Sequence, residues 1–354
     1  MAETGGALRR ATRRARSLAR RKRRDPKRSD ARRRTPVAVS VVVNTLNRRD
    51  ALERTLVALR QQTHRYFEVI VVNGPSIDDT DEMLRAYQHR AHVVKCAEAA
   101  VGRSRNVGIG ATAGDIVAFI DDDAIPRANW LESLVAGYQD PTVAAVGGPV
   151  FDIPLGQVEW SLCTCTRLGV PNTDSEGPVD RYLGVGADPL AYLPGCNMSF
   201  RRQVVEEIGG FNGLLTLCYD DVEACARVID KGYRIHVLKE ALVDHYRAPN
   251  AVRDSQHAIR DPYPILYSRA IFSSQTYQPG RRADQVAETI RGAEGDFVNL
   301  GNHYFSEGRL SPKERDAFVD RAHRGAADGL RAGSGPRPIV SLRPPARSTF
   351  RLYP

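Results

Sequence analysis

No stretch of this 354-residue sequence approaches the roughly 18–20 consecutive apolar residues that a membrane-spanning helix needs. The first residues carry charge with no apolar run behind it, so no secretory signal is expected and the expected compartment is the cytoplasm. Cysteine is scarce. The six are Cys96, Cys163, Cys165, Cys196, Cys218 and Cys225. None forms a Cys-x-x-Cys pair or stands at zinc-like spacing from histidine, which leaves buried or free thiols in a reducing compartment as the expectation. There is no internal repeat.

Net positive charge is also absent once the N-terminus is set aside. The whole chain carries +9, but residues 1–36 hold fifteen Lys or Arg against three acids, a net +12 that leaves −3 for the remainder. A run this polar has too little apolar surface to bury and is expected to be a disordered, Arg-rich arm. Such an arm suits contact with an anionic membrane surface, with nucleic acid a weaker expectation, and serves equally as a solvated leader with no partner.

What is present, at 42% hydrophobic residues, is enough for a sizeable core. Residues 37–43, 67–72, 92–95 and 116–120 are apolar, β-branched runs of strand length. Near-continuous apolar character suits parallel strands buried on both faces. Between them, residues 50–62, 79–88 and 102–113 carry helical spacing. Alternating strands and helices predict an α/β domain with a mainly parallel sheet, and in such sheets ligands bind beyond the carboxyl ends of the strands. That rule collects residues 44–48, 73–78 and 121–123 on one edge. Further along, 130–138 and 221–231 read as helices, with 143–150, 196–201, 234–238 and 241–244 as strands. Residues 151–190 lack periodicity and read as an irregular insertion able to serve as a lid or acceptor wall. Residues 260–332 look mainly helical, and the last twenty, rich in Pro and Arg, look loose.

Asp121-Asp122-Asp123 is the strongest local signal. Three adjacent carboxylates at the end of an apolar strand repel one another and call for a cation or strong donors. Hard divalent cations take carboxylate and diphosphate oxygens. Alternation along an extended segment would point Asp121 and Asp123 one way, to hold one metal, and Asp122 the other, toward a ribose hydroxyl or a structural bond. Asp220-Asp221-Val222-Glu223 opens a helix, where a carboxylate is well placed and can act as a general base. The polar segment 44–49 and Arg103 and Arg105 offer groups for a nucleobase and phosphates. His245 follows a short apolar strand and gains interest only beside these clusters.

Together these blocks resemble the family 2 glycosyltransferases of the A-type nucleotide-sugar-binding fold. The resemblance runs from about Val37 to His245. It rests on Val41-Val42-Val43-Asn44-Thr45-Leu46-Asn47-Arg48, Val69-Ile70-Val71-Val72-Asn73-Gly74-Pro75-Ser76-Ile77-Asp78 and Gly102-Arg103-Ser104-Arg105-Asn106-Val107-Gly108. It continues through Gly114-Asp115-Ile116-Val117-Ala118-Phe119-Ile120-Asp121-Asp122-Asp123, Gly195-Cys196-Asn197-Met198-Ser199-Phe200-Arg201 and Tyr219-Asp220-Asp221-Val222-Glu223. It implies a single Rossmann-like domain at 37–250, with nucleotide binding in 37–125 and acceptor binding in 126–250; the helical extension expected at 251–332 and the loose tail at 333–354 follow from the sequence pattern, largely outside the resemblance. Asp121 and Asp123 are similar to the metal-binding acids of the family, and Asp221 to its catalytic base. Thr45, Asn47 and Arg48 are similar to the base- and phosphate-contacting turn, with Asp122 and Arg105 also on the donor side. Asn73 stands where the family usually has an aspartate that meets the nucleobase. The spacing from Asp221 to His245 is similar to that in bacterial galactofuranosyltransferases, which implies a third metal ligand. Asp220, Glu223 and Asn197 are acceptor-side candidates.

The function so implied is inverting, metal-dependent glycosyl transfer from a nucleoside-diphosphate sugar, with a UDP-sugar favoured and Mn²⁺ or Mg²⁺ as cofactor. The acceptor is a small molecule, a lipid-linked sugar or a glycan end. Without a transmembrane pair, a synthase that builds its own channel is not expected. A nucleotidyltransferase on a similar sheet would favour a glycine-rich loop after the first strand, where this chain has Asn-Thr-Leu-Asn-Arg. A non-catalytic protein using the basic arm on nucleic acid or a membrane surface would predict a degraded acidic constellation, yet every carboxylate is present.

Overall fold

The computed structural model describes residues 36–173, 180–181, 184–276, 283–338, 342 and 349–354. The basic arm, 1–35, lies outside the described residues. In the N-terminal half, β1 (Val39–Thr45), β2 (Phe67–Asn73), β3 (His92–Lys95) and β4 (Ile116–Asp121) alternate with α1 (Arg49–Leu59), α2 (Thr80–Tyr87) and α3 (Val101–Ala111). There follow β5 (Ala124–Pro126), α4 (Trp130–Ala136), β6 (Val143–Gly147), β7 (Val150–Asp152), β8 (Gln157–Trp160), β9 (Cys163–Cys165), β10 (Pro171–Asn172), β11 (Asp180–Arg181), β12 (Leu190–Tyr192) and β13 (Met198–Arg201). The chain ends with α5 (Arg202–Glu207), α6 (Asp220–Asp230), β14 (Arg234–Val237), β15 (Val243–His245), α7 (Tyr263–Gln275), α8 (Ala283–Ser306) and α9 (Pro312–Gly333).

Eight strands form the central sheet in the order β11-β14-β6-β13-β4-β1-β2-β3. β1 runs parallel to both β2 and β4. Its run is apolar on both faces because both faces are covered. Val42 packs into one core cluster while Val39, Val41 and Val43 pack into the other. The register sets Asn44 beside Asp121 and Thr45 beside Asn73, so these four polar residues lie at one level of the carboxyl edge. β13 is the antiparallel member between β4 and β6. It begins level with the end of β4 and runs back down the sheet.

The expected strand over 143–150 is two strands in two sheets. β6 belongs to the central sheet, and β7 to a four-stranded sheet ordered β5-β15-β7-β8. The break falls at Gly148-Pro149. A Cβ on Gly148 would sit 2.1 Å from the Ala241 carbonyl oxygen, and that crowding fits only glycine. Proline supplies no N–H to continue a ladder. The described part of 151–190 carries short strands between its turns, where an irregular insertion was expected. Strands of two to four residues are too short to show a period.

The C-terminal part is helical as expected. α9 starts with a capping box between Ser311 and Glu314. It lies against α7 through Gly325 and Gly329, whose absent Cβ atoms would stand 2.6 and 2.5 Å from the Tyr263 and Tyr267 carbonyl oxygens. The end of the expected loose tail packs back on the domain. The Tyr353 N–H bonds to Phe67 O at 2.9 Å and its hydroxyl to Leu56 O at 3.0 Å. Phe350 sets its ring 4.9 Å from that of Tyr66, and Arg351 donates to Glu68 Oε2 at 3.3 Å and to Gln88 O at 3.0 Å, a set of contacts that composition does not reveal. No helix among the described residues is long and apolar enough to cross a membrane.

Gly329→Ala is expected to lower stability by about 1–3 kcal/mol through overpacking against the α7 backbone. Gly292→Ala, in open space on α8, should raise it by about 1 kcal/mol. Denaturant unfolding of both variants checks the pair, and equal effects would refute the packing assignment.

Candidate active site

Five carboxylates meet at the carboxyl edge of the sheet, and two guanidinium groups organise them. β4 stops at Asp121, and Asp122 and Asp123 lie in the turn before β5. Alternation therefore does not govern the triplet. Arg48, reaching over from the end of β1, places Nη1 at 3.0 Å from Asp122 Oδ1 and 2.9 Å from Asp123 Oδ2. Its Nη2 donates to the carbonyls of Ala248 and Pro249 at 3.1 and 3.2 Å. Arg48 is thus a clamp between the triplet and the loop after β15. Burial pushes the Asp122 carboxyl up, with Arg48 opposing. For Asp123 burial acts the same way, but His245 and Arg48 prevail and hold it well below the usual carboxylate range.

Asp123 has a second oxygen. Its Oδ1 is buried without a well-directed hydrogen bond, 3.3 Å from Nε2 of His245. One ligand-type atom from each of Asp121, Cys196 and His245 also falls within 4.8 Å of the others. The outer two aspartates therefore both approach His245, through the turn rather than through strand alternation. Burial acts against protonation of the imidazole, but the adjoining Asp123 and Glu159 carboxylates push His245 up to about 10. His245 reaches this place because β15 pairs with β5 on one side and β7 on the other, with His245 level with Ala124 and Asp152.

Arg105 organises the other side. It projects from α3, is 3% exposed, and lies within 6 Å of the Phe119 and Phe211 ring centroids, at 5.8 and 5.4 Å. It forms an ion pair with buried Asp220, donates to Gly195 O at 3.1 Å and stands 3.7 Å from Asp121 Oδ1. The Gly195 N–H in turn donates to Asp221 Oδ2 at 2.9 Å, and the Val222 N–H to Oδ1 at 2.8 Å. Gly195 must be glycine here, since a Cβ would lie 2.6 Å from the Arg105 guanidinium. α6 begins on Tyr219 in the left-handed region, φ 64°. That rarely occupied conformation for a bulky residue aims Asp220 and Asp221 at the edge. Burial raises the Asp221 carboxyl, and Arg105 and the two backbone donors oppose the rise.

The remaining predicted residues have structural partners. Asn47, at φ 55°, accepts from Ile77 N at 2.7 Å and donates its own N–H to Ser76 Oγ at 3.0 Å, joining the turns after β1 and β2. Asn73 donates to Asp81 at 2.5 Å and accepts from Ser76 at 2.7 Å. Thr45 is buried. Asn197 is a strut. It accepts from Trp130 Nε1 at 2.8 Å and donates to Pro149 O and Ala241 O at 2.9 and 2.7 Å, which uses both amide hydrogens. Glu223 binds Arg227 at 2.8 and 2.7 Å and faces a cavity of about 560 Å³ shared with Arg167 and Asp230. Cys196 and Glu159 escape sequence reasoning. A lone thiol and a lone acid carry no spacing signal, and only the fold brings them to His245.

The donor set fits a hard or borderline divalent cation: two carboxylates, one with an orphaned buried oxygen, and an imidazole. Cys196 stands within the same group, its thiol raised well above the ordinary value by burial among acids while no cation is bound.

Residues 40–209 match the family model "Glycosyl transferase family 2". A pre-mycofactocin glycosyltransferase of Mycobacterium tuberculosis is 30% identical over 214 residues, covering 58% of this chain and 42% of its own length. Glycosyltransferase AglE of Haloferax volcanii is 28% identical over 219 residues, covering 60% and 67% respectively. The chain thus spans less than half of the first relative. Among solved structures, a mannosyltransferase of Pyrobaculum calidifontis in complex with GDP-Man and Mn²⁺ aligns with TM-score 0.50 at 18% identity, over 91% of this chain and 94% of that one. At that identity the likeness concerns the fold.

Arg105→Met should cost about 3–5 kcal/mol by stranding buried Asp220. Adding Asp220→Asn should return part of the loss. A denaturation double-mutant cycle measures the coupling, and strict additivity would exclude a shared buried pair.

Proposed function

Since residues 40–209 belong to glycosyl transferase family 2, we propose that this chain moves a sugar from a nucleoside-diphosphate donor to an acceptor hydroxyl, by a single displacement that inverts the anomeric centre. The observation that carries the reading is the approach of Asp121, Asp123 and His245, from two separate sheets, beside an Arg105-linked Asp221. Those three side chains would hold a divalent cation, and the mannosyltransferase from Pyrobaculum calidifontis carries Mn²⁺ with its nucleotide sugar. Such a cation supplies Lewis-acid neutralisation of the departing diphosphate.

The chain's own groups do the rest. Asp221 accepts the proton of the acceptor hydroxyl as its oxygen forms a bond to the anomeric carbon. The bond from that carbon to the diphosphate breaks, and its electron pair leaves with the nucleotide. A carboxyl raised by burial is a better base than a solvated one, and the Gly195 and Val222 N–H groups fix its orientation. Arg105 holds the Gly195 peptide and so positions the base without touching substrate. Arg48 fixes the triplet rather than the phosphates. The Asn47–Ser76–Asn73 turn stands at the nucleobase end of the edge, and the acceptor is a small molecule, a lipid-linked sugar or a glycan end.

Titration with UDP, GDP and dTDP, with and without Mn²⁺ or Mg²⁺, tests the donor site. Metal-dependent binding of one nucleotide is expected, and Asp121→Asn with Asp123→Asn should abolish it. Unchanged binding in that double variant would defeat the assignment. Asp221→Asn should keep nucleotide affinity while nucleotide release from the matching sugar donor falls by about 10²–10⁴-fold, the range of a general base. Full turnover in that variant would remove Asp221 from the mechanism.

A further inference from the structure

We infer that Glu159 is a positioning residue that fixes the imidazole of His245 so that Nε2, and not Nδ1, faces Asp121 and Asp123. The inference rests on the cation site proposed above and adds a residue to it.

Glu159 lies on β8, separated from β15 only by β7. Its side chain is 8% exposed. Oε2 stands 2.9 Å from His245 Nδ1. Oε1 stands 3.2 Å from Arg247 Nε. Arg247 reaches on to Asp152 Oδ2 at 3.1 Å, and Asp152 is fully buried on β7. Trp160, the next residue on β8, sets its ring 6.0 Å from the imidazole. Arg247 adopts the left-handed region, φ 45°, two residues after the histidine. The histidine is therefore held from behind by a carboxylate that is itself held by a buried ion pair.

The geometry assigns the two ring nitrogens. A carboxylate accepts only, so Nδ1 carries the hydrogen it donates to Glu159. Nε2 is left on the side of Asp123 Oδ1, 3.3 Å away. A histidine ligand whose other nitrogen donates to a carboxylate is fixed in tautomer and orientation, and loss of such a partner costs about 10–100-fold in metal affinity. A carboxylate that served only to tie β8 to Arg247 would need no contact with the imidazole. Here one oxygen serves each partner.

The test measures Mn²⁺ affinity of the full chain by electron paramagnetic resonance of free Mn²⁺, with the diphosphate that binds best in the titration above. Glu159→Leu should weaken Mn²⁺ binding by about 10–100-fold. Glu159→Gln keeps an acceptor oxygen for the Nδ1 hydrogen and should retain most of the affinity. In a His245→Ala background, Glu159→Leu should change Mn²⁺ affinity no further. An unchanged affinity in Glu159→Leu, or an equal loss with and without His245, would overturn the inference. Melting curves identify any variant that has not folded, and for such a variant Glu159→Gln alone decides: an affinity near wild type supports the positioning role, and a loss as large as that of His245→Ala overturns it. Failure of the underlying reading looks different: no Mn²⁺ binding by the wild-type chain, or none lost in His245→Ala.

Discussion

Negative charge gathered in one place is the constraint on which the rest of this structure depends. Asp121, Asp122, Asp123, Asp220 and Asp221 crowd one edge of a sheet, and three of the five are almost wholly buried. Carboxylates in such surroundings are tolerable only when paired and hydrogen-bonded. Arg48 serves the second and third members of the triplet, and Arg105 serves Asp220 and approaches Asp121. The neutralisation is incomplete. One oxygen of Asp123 has only the neighbouring imidazole to face. That unmet demand is what the proposed cation would meet.

The same constraint explains details of the fold. Gly195 is bare so that Arg105 can lie across it, and Tyr219 takes an unfavourable backbone conformation so that α6 can start where Asp221 is needed. The Gly148-Pro149 break sends the chain out of the central sheet into a second one, and that second sheet carries His245 and its neighbours to the acids. Small backbone requirements at three places thus build one constellation.

Much of this was legible in the chain. The apolar runs of β1, β2 and β4, the helical spacing between them and the helices after Tyr263 were each read from periodicity, because burial on both faces or on one stripe leaves a plain pattern. The acids at 121–123 and 220–221 were legible because so many carboxylates need an explanation. Less legible were the short strands between Val150 and Tyr192, which have no length in which to alternate, and the docking of Tyr353, a few contacts at the end of a polar tail. The jobs of Arg48, Arg105 and Asn197 were hidden as well. The sequence marks them as polar groups near a ligand edge, whereas their bonds run to other protein groups.

By itself the sequence determined the α/β class, the sheet edge on which the acids gather and the identity of those acids, since these follow from local hydrophobic period and from charge in the wrong place for a core. Only the tertiary structure decided which acids face which basic groups. Asp122 turns to Arg48, Asp123 divides its oxygens between Arg48 and His245, and Glu159 stands behind that histidine. Those pairings join residues 74 to 122 positions apart across two sheets. Strand register and a chain break set them, and neither is written in the spacing of any single segment.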